Sequence, residues 1–170
     1  MNSFVPGPET ARQFRSALGR FVTGVTVVTC HTRKGPLGIT ANSFASVSLD
    51  PPLVLWSPAK SSSRHDAFVD ADHFVIHVLE ASQAAVCQQF TKDGYNFDGL
   101  DLSSDSRDVP LIQGCLAQFE CHRFAAHDAG DHTVILGKVV SAASREGEPL
   151  AFSSGALGRF QEGLIETAPG

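Results

Sequence analysis

Short runs of β-branched and apolar residues, broken every few positions by turn residues, constrain this chain more than any other feature. Val22 to Cys30 reads VTGVTVVTC, almost all Val and Thr, whose branched Cβ suits a pleated backbone. Arg33-Lys34-Gly35-Pro36 is a turn, and Leu37 to Leu49 (LGITANSFASVSL) follows as a second strand, rich in Ser, Thr, Ala and Asn. Asp50-Pro51-Pro52 breaks the chain before the short apolar strand Leu53 to Trp56. His73 to Leu79, Cys115 to Phe124, Asp131 to Ala143 and Leu150 to Phe152 bring the expected total to about six or seven strands. Most links between them are too short for a parallel crossover, so the sheet is expected to be mainly antiparallel. Strands of this number and spacing favour closure, and the fold class predicted is mainly β, a Greek-key barrel with short helices at its periphery.

The helices are few. Phe14, Leu18 and Phe21 recur at i, i+4 and i+7 and predict an amphipathic first helix, with Thr10 and Gln13 as a possible capping box. A short helix is expected over about 64–69, after the polar loop Ser57 to His65 (SPAKSSSRH), and another over Ala81 to Phe90. Thr91 to Gln113 reads as a long loop rich in Asp, Ser and Gly. The 170 residues suffice for one domain with a core, and residues 1–170 are read as a single domain.

Charge and cysteine usage exclude several functions. The net charge is −5 and no basic run exists, which argues against nucleic acid as a partner. Cys30, Cys87, Cys115 and Cys121 form no CxxC pair and no zinc spacing, so free thiols and no metal site are expected. No apolar run approaches the ~20 residues of a membrane helix and no signal peptide is visible, so a cytoplasmic protein with no membrane partner is expected. There is no GxSxG elbow, no GxGxxG opening a helix after a strand, no GxxxxGK[ST] and no HExxH.

Three stretches carry candidate chemistry. Thr40, Ala41, Asn42, Ser43, Phe44, Ala45, Ser46, Val47 and Ser48 hold more small polar residues than strand interiors usually do. Hydroxyls, an amide and backbone N–H groups suit the edge of a planar heterocycle, and small side chains let a ring approach the backbone. The same composition also fits a solvent-facing edge strand. Lys60, Ser61, Ser62, Ser63 and Arg64 precede a helix start, where hydroxyls, free N–H groups and positive charge attract a phosphate; Ser62 or Ser63 acting only as a helix cap is the alternative. Gly130-Asp131-His132 places His132 at a turn, either to contact a ligand or as a plain surface residue.

Phe14 to Phe21 with Thr23 to Thr29, Gly38-Ile39-Thr40-Ala41-Asn42-Ser43-Phe44 through Ser46 to Val54, His73 to Leu79, and Gly130 to Thr133 with Ile135 to Val139 together resemble the flavin reductase-like family, in order along residues 12–160. These are small reductase components of two-component monooxygenases. The resemblance implies a split β-barrel of FMN-binding type that forms a homodimer, with flavin near the subunit interface. It implies FMN or FAD held by Thr40 to Ser48, a phosphate beside Lys60, Ser61, Ser62 and Ser63, and His132 beside the nicotinamide of NADH or NADPH, with Phe160 nearby. Hydride would pass from nicotinamide C4 to flavin N5, and reduced flavin would diffuse to a flavin-dependent monooxygenase. Alternatives are a flavoprotein that keeps its flavin and reduces another acceptor, or a non-catalytic flavin-binding module. Two departures stand out: Phe152 to Gly158 lacks the Arg that the family often carries there, and His77 stands where Asn is common.

Overall fold

The computed structural model describes residues 1–160 and Gly163. Helix α1 (Ala11–Leu18) precedes β1 (Thr23–Gly24), β2 (Thr26–Thr32), β3 (Gly35–Ala41), β4 (Ala45–Leu49) and β5 (Pro52–Trp56). Then come α2 (His65–Asp70), β6 (His73–Val78), α3 (Ala84–Lys92), β7 (Leu102–Ser104), β8 (Pro110–Ile112), β9 (Ala117–Ala129), β10 (His132–Ser144), β11 (Leu150–Ser153) and β12 (Ala156–Arg159). Seven strands form one sheet in the order β3-β2-β6-β9-β10-β5-β4, and every pairing in it is antiparallel.

The connectivity forces that sheet to curl. Strands β3 and β4 occupy its opposite edges, yet only Asn42, Ser43 and Phe44 separate them in sequence. Laid flat, seven strands would set the edges about 29 Å apart, at ~4.8 Å per neighbour. Four Cα–Cα steps reach no more than about 15 Å. The sheet is therefore rolled, and its edges meet at the 42–44 link without a β3–β4 ladder among the described residues: a barrel split along one seam. The single strand expected over residues 37–49 is two strands for this reason. Ser43 fixes the seam, since its Oγ accepts the Ser57 N–H at 2.9 Å.

The strand expected over 22–30 divides as well. The Val25 N–H donates to the Leu150 carbonyl and the Val25 carbonyl accepts from the Leu79 N–H, so Val25 passes the chain from the small sheet β1-β11-β12 to the main one. Thr26 to Cys30 are all buried. Strand β2 thus has a core on both faces, which is why its sequence runs apolar instead of alternating. Val28 packs inside the roll with Trp56, Phe68, Phe74, Ile76 and Ile135. Val27 faces a second cluster with Leu79, Phe90, Ile112 and Leu150, capped by α3.

The buried His77 joins the layers. Its Nδ1 lies 3.1 Å from the Val27 carbonyl, which can only accept, so Nδ1 carries the proton; the Ile112 N–H donates to Nε2 at 3.1 Å. An Asn amide offers the same donor and acceptor, which rationalises the exchange of these residue types at this position. Burial pushes the His77 pKa down to about 4, against the pull of its bond to the Val27 carbonyl.

Two other local expectations change. The first helix ends at Leu18, so Phe21 lies beyond it, and the Thr10 hydroxyl donates to the Val5 carbonyl at 2.8 Å instead of forming a capping box. A capping box does form at Glu80 and Gln83. The long loop expected over 91–113 contains the hairpin β7–β8.

Candidate functional site

A cavity of about 530 Å³ opens where the end of β3 meets α3 and the β11–β12 hairpin. Thr40, Ala41 and Asn42 line it from the β3 side. Gln88, Thr91 and Lys92 line it from α3, and Phe152 and Leu157, cross-strand partners, close it from the hairpin. Its depth is apolar, with Val25 and Ile39 in the wall, while amides and two cationic side chains, Arg64 and Lys92, stand around it. A volume of this size, mostly apolar with a few polar groups, is what a cofactor-sized ligand needs.

The position of α3 is fixed from several sides. The Thr40 hydroxyl donates to the Cys87 carbonyl at 2.8 Å, and the Thr91 hydroxyl donates to the same oxygen at 2.8 Å. The Arg64 guanidinium donates to the carbonyls of Phe90, Gly38 and Thr91, the last two at 3.3 Å each. A cation on the final carbonyls of a helix also complements its dipole. Gly38 lets the helix come this close: a Cβ there would meet the Phe90 ring at 2.4 Å.

Of the predicted residues, Thr40, Ala41, Asn42 and Ser62 line this cavity. Ser43 belongs to the seam. Ser46, Val47 and Ser48 lie on edge strand β4, where a register shift between Ser46 and Ser48 leaves Val47 as the extra residue of a bulge. Ser61 and Ser63 are exposed; the Ser62 Oγ accepts the Arg64 N–H at 3.3 Å in a local turn, and no side chain caps α2. Phe160 is exposed beyond β12.

Lys60 and His132 meet elsewhere, at the tip of the β9–β10 hairpin. The Lys60 N–H donates to the Asp131 carbonyl at 2.9 Å, the Thr133 N–H donates to the Pro58 carbonyl at 3.1 Å, and Ala59 bridges to His132. The Lys60 ammonium sits 2.6 Å from Asp128 Oδ1, and His132 Nδ1 sits 2.8 Å from Asp131 Oδ1. Those contacts hold both aspartate carboxyls below the usual range, Asp128 through Lys60 and Asp131 through His132. His65 completes the clasp, with Nε2 2.8 Å from the Thr133 hydroxyl.

Sequence reasoning missed Gln88, Thr91 and Lys92. Their i, i+3, i+4 spacing along α3 puts them on one helix face, but the expected helix stops at Phe90 and leaves Thr91 and Lys92 in the expected loop. It missed Leu157 because β12 was not expected, and with it the cross-strand pairing that turns Phe152, on the expected strand over 150–152, toward the cavity. All four cysteines are buried and free. Burial raises the thiols of Cys30 and Cys121 to about 12 and that of Cys115 to about 11, and it raises Cys87 as well. No group of three metal-ligating side chains converges among the described residues, and no helix is long and apolar enough to cross a membrane.

Residues 18–161 match the flavin reductase like domain. The chain belongs to the flavin reductase-like family. It is 64% identical over 157 residues to FMN reductase (NADH) SmoA of Agrobacterium fabrum, covering 92% of this chain and 90% of that one. It is 39% identical over 146 residues to the reductase subunit HsaB of a flavin-dependent monooxygenase of Rhodococcus jostii, covering 85% and 75%. Among solved structures, the NADH:FAD oxidoreductase SgcE6 of Streptomyces globisporus superposes with a TM-score of 0.88 at 36% identity, over 99% of this chain and 98% of that one. The rolled sheet split at its seam is therefore the split barrel of flavin reductases.

Proposed function

We infer that this protein is an NADH-dependent flavin reductase that supplies reduced flavin to a partner monooxygenase. The observation that carries this is the cavity of about 530 Å³ walled by Thr40, Ala41 and Asn42, in the stretch that marks the family. Flavin, FMN or FAD, supplies the redox chemistry by taking hydride at N5 from C4 of the nicotinamide. The protein's part is to bind, orient and exclude water, which needs no acid–base pair.

The apolar wall at Ile39, Val25, Phe152 and Leu157 suits the faces of a flat ring, and the Asn42 amide suits its polar edge. Because the Thr40 proton is committed to the Cys87 carbonyl, Thr40 offers a ligand only its oxygen lone pairs and holds the wall in place. Ser43 and the β4 residues Ser46, Val47 and Ser48 extend the binding surface past the seam, with backbone N–H groups of an edge strand free to donate. Lys60, Ser61, Ser62 and Ser63 hold the phosphate end. His132 positions the nicotinamide, and Phe160 flanks the site.

The protein acts as a homodimer in the cytoplasm, and it passes flavin by diffusion with no membrane or nucleic-acid partner. Exposed apolar residues on α1 and in the turn after it support the dimer: Phe14, Leu18 and Phe21 are 43%, 60% and 78% exposed. Anaerobic stopped-flow absorbance tests the reaction. Protein mixed with FMN or FAD should bleach the flavin band rapidly and saturably with NADH. Binding of flavin without bleaching would overturn the reductase reading.

A further inference from the structure

Lys60 already holds an anion of the protein's own. Its ammonium contacts Asp128 Oδ1 at 2.6 Å, and Asp131 on the same hairpin tip is paired with His132 at 2.8 Å. The pairing is not a chance meeting of two long side chains. The backbone of the 57–63 loop is bonded to the hairpin at Lys60 itself and two residues before it, through the Lys60 N–H to Asp131 and the Thr133 N–H to Pro58. The pair is nonetheless open to water, with side chains 38% and 79% exposed. An exposed ion pair is weak and exchanges readily for a competing anion.

We propose that Asp128 is an internal competitor for the flavin phosphate: it occupies Lys60 when flavin is absent and must yield that cation when flavin binds. The competition sets an upper limit on flavin affinity. That suits a protein whose flavin has to leave after each turnover, because affinity gained at a phosphate, which does not change during reduction, would slow release without helping the chemistry. Asp128 is thus an affinity-setting residue; it touches neither ring nor hydride. The proposal rests on the assignment of Lys60 to the phosphate end.

The test is equilibrium binding of oxidised FMN and of riboflavin, which lacks the phosphate, to the full-length protein and to Asp128→Asn, Lys60→Ala and the double variant. Asp128→Asn should tighten FMN about two- to fivefold, the range an exposed ion pair allows, and leave riboflavin unchanged. In the Lys60→Ala background the same substitution should gain clearly less. Raised salt should shrink the gain in parallel. Equal tightening of FMN and riboflavin, an equal gain with and without Lys60, or no change with Asp128→Asn would each overturn the competition while leaving the reductase reading intact. Asp128→Asn protein that binds FMN no better than riboflavin would overturn the phosphate assignment itself and the competition with it.

Discussion

His77 is a titratable group placed where it must stay neutral. Its ring donates from Nδ1 to Val27 and accepts at Nε2 from Ile112, and a second proton would have to displace the Ile112 bond inside the core. With a pKa of about 4 in the folded chain against 6.5 in the unfolded one, the unfolded state binds more protons between those values. Stability from this residue is complete above pH 6.5, falls as pH drops through the window, and levels off below about 4. The gap corresponds to about 3 kcal/mol. Urea denaturation at about pH 7.5 and about pH 4.5 should register that loss, and His77→Asn should flatten it while keeping both hydrogen bonds. His77→Leu strands two buried backbone groups and should cost ~2–4 kcal/mol above pH 6.5, where the wild-type ring is neutral, and less at about pH 4.5. A pH dependence unaltered in His77→Asn would locate the acid sensitivity elsewhere.

At the level of elements, α3 is held to the barrel by the Arg64 fork and by the glycine that lets Phe90 approach β3. A lysine keeps the charge but cannot reach three carbonyls in a plane. Arg64→Lys should therefore lower stability by ~1–3 kcal/mol and, because α3 walls the cavity, weaken flavin binding severalfold. Thermal unfolding and a flavin titration read the two effects; unchanged values in both would show that Arg64 is not the fastening. This contact also marks where sequence reading ran out. Arg64 was legible as a cation beside three serines, but its partners lie far away in the chain and on backbone atoms, which leave no side-chain signature. The strands themselves were legible from β-branched runs. Their interruptions at Val25 and at 42–44 were not, because each arises from a change of sheet neighbour and not from a breaker residue. Thr40 to Asn42 stood out by composition and lie in the cavity wall, whereas the α3 face took its meaning only from what it packs against.

For the whole molecule, a fourfold spacing of apolar residues on α1 buries nothing within the chain. Phe14 and Leu18 on the helix and Phe21 just after it leave large apolar side chains exposed, and the proposed homodimer covers them. Phe21→Asp should shift the sedimentation coefficient to that of a monomer while leaving the far-ultraviolet dichroism of the barrel unchanged. A dimer that persists in this variant would move the interface away from α1. The buried thiols have a consequence that concerns durability. Reduced flavin released into air consumes dioxygen and leaves hydrogen peroxide, which attacks cysteine through the thiolate. With thiols at about 11 and about 12, roughly one in ten thousand or fewer of Cys30, Cys115 and Cys121 is ionised near neutrality. Cys87, at the cavity wall, is shifted in the same direction by burial. A catalyst that generates an oxidant as a by-product thus keeps its sulfur in a form which that oxidant scarcely touches.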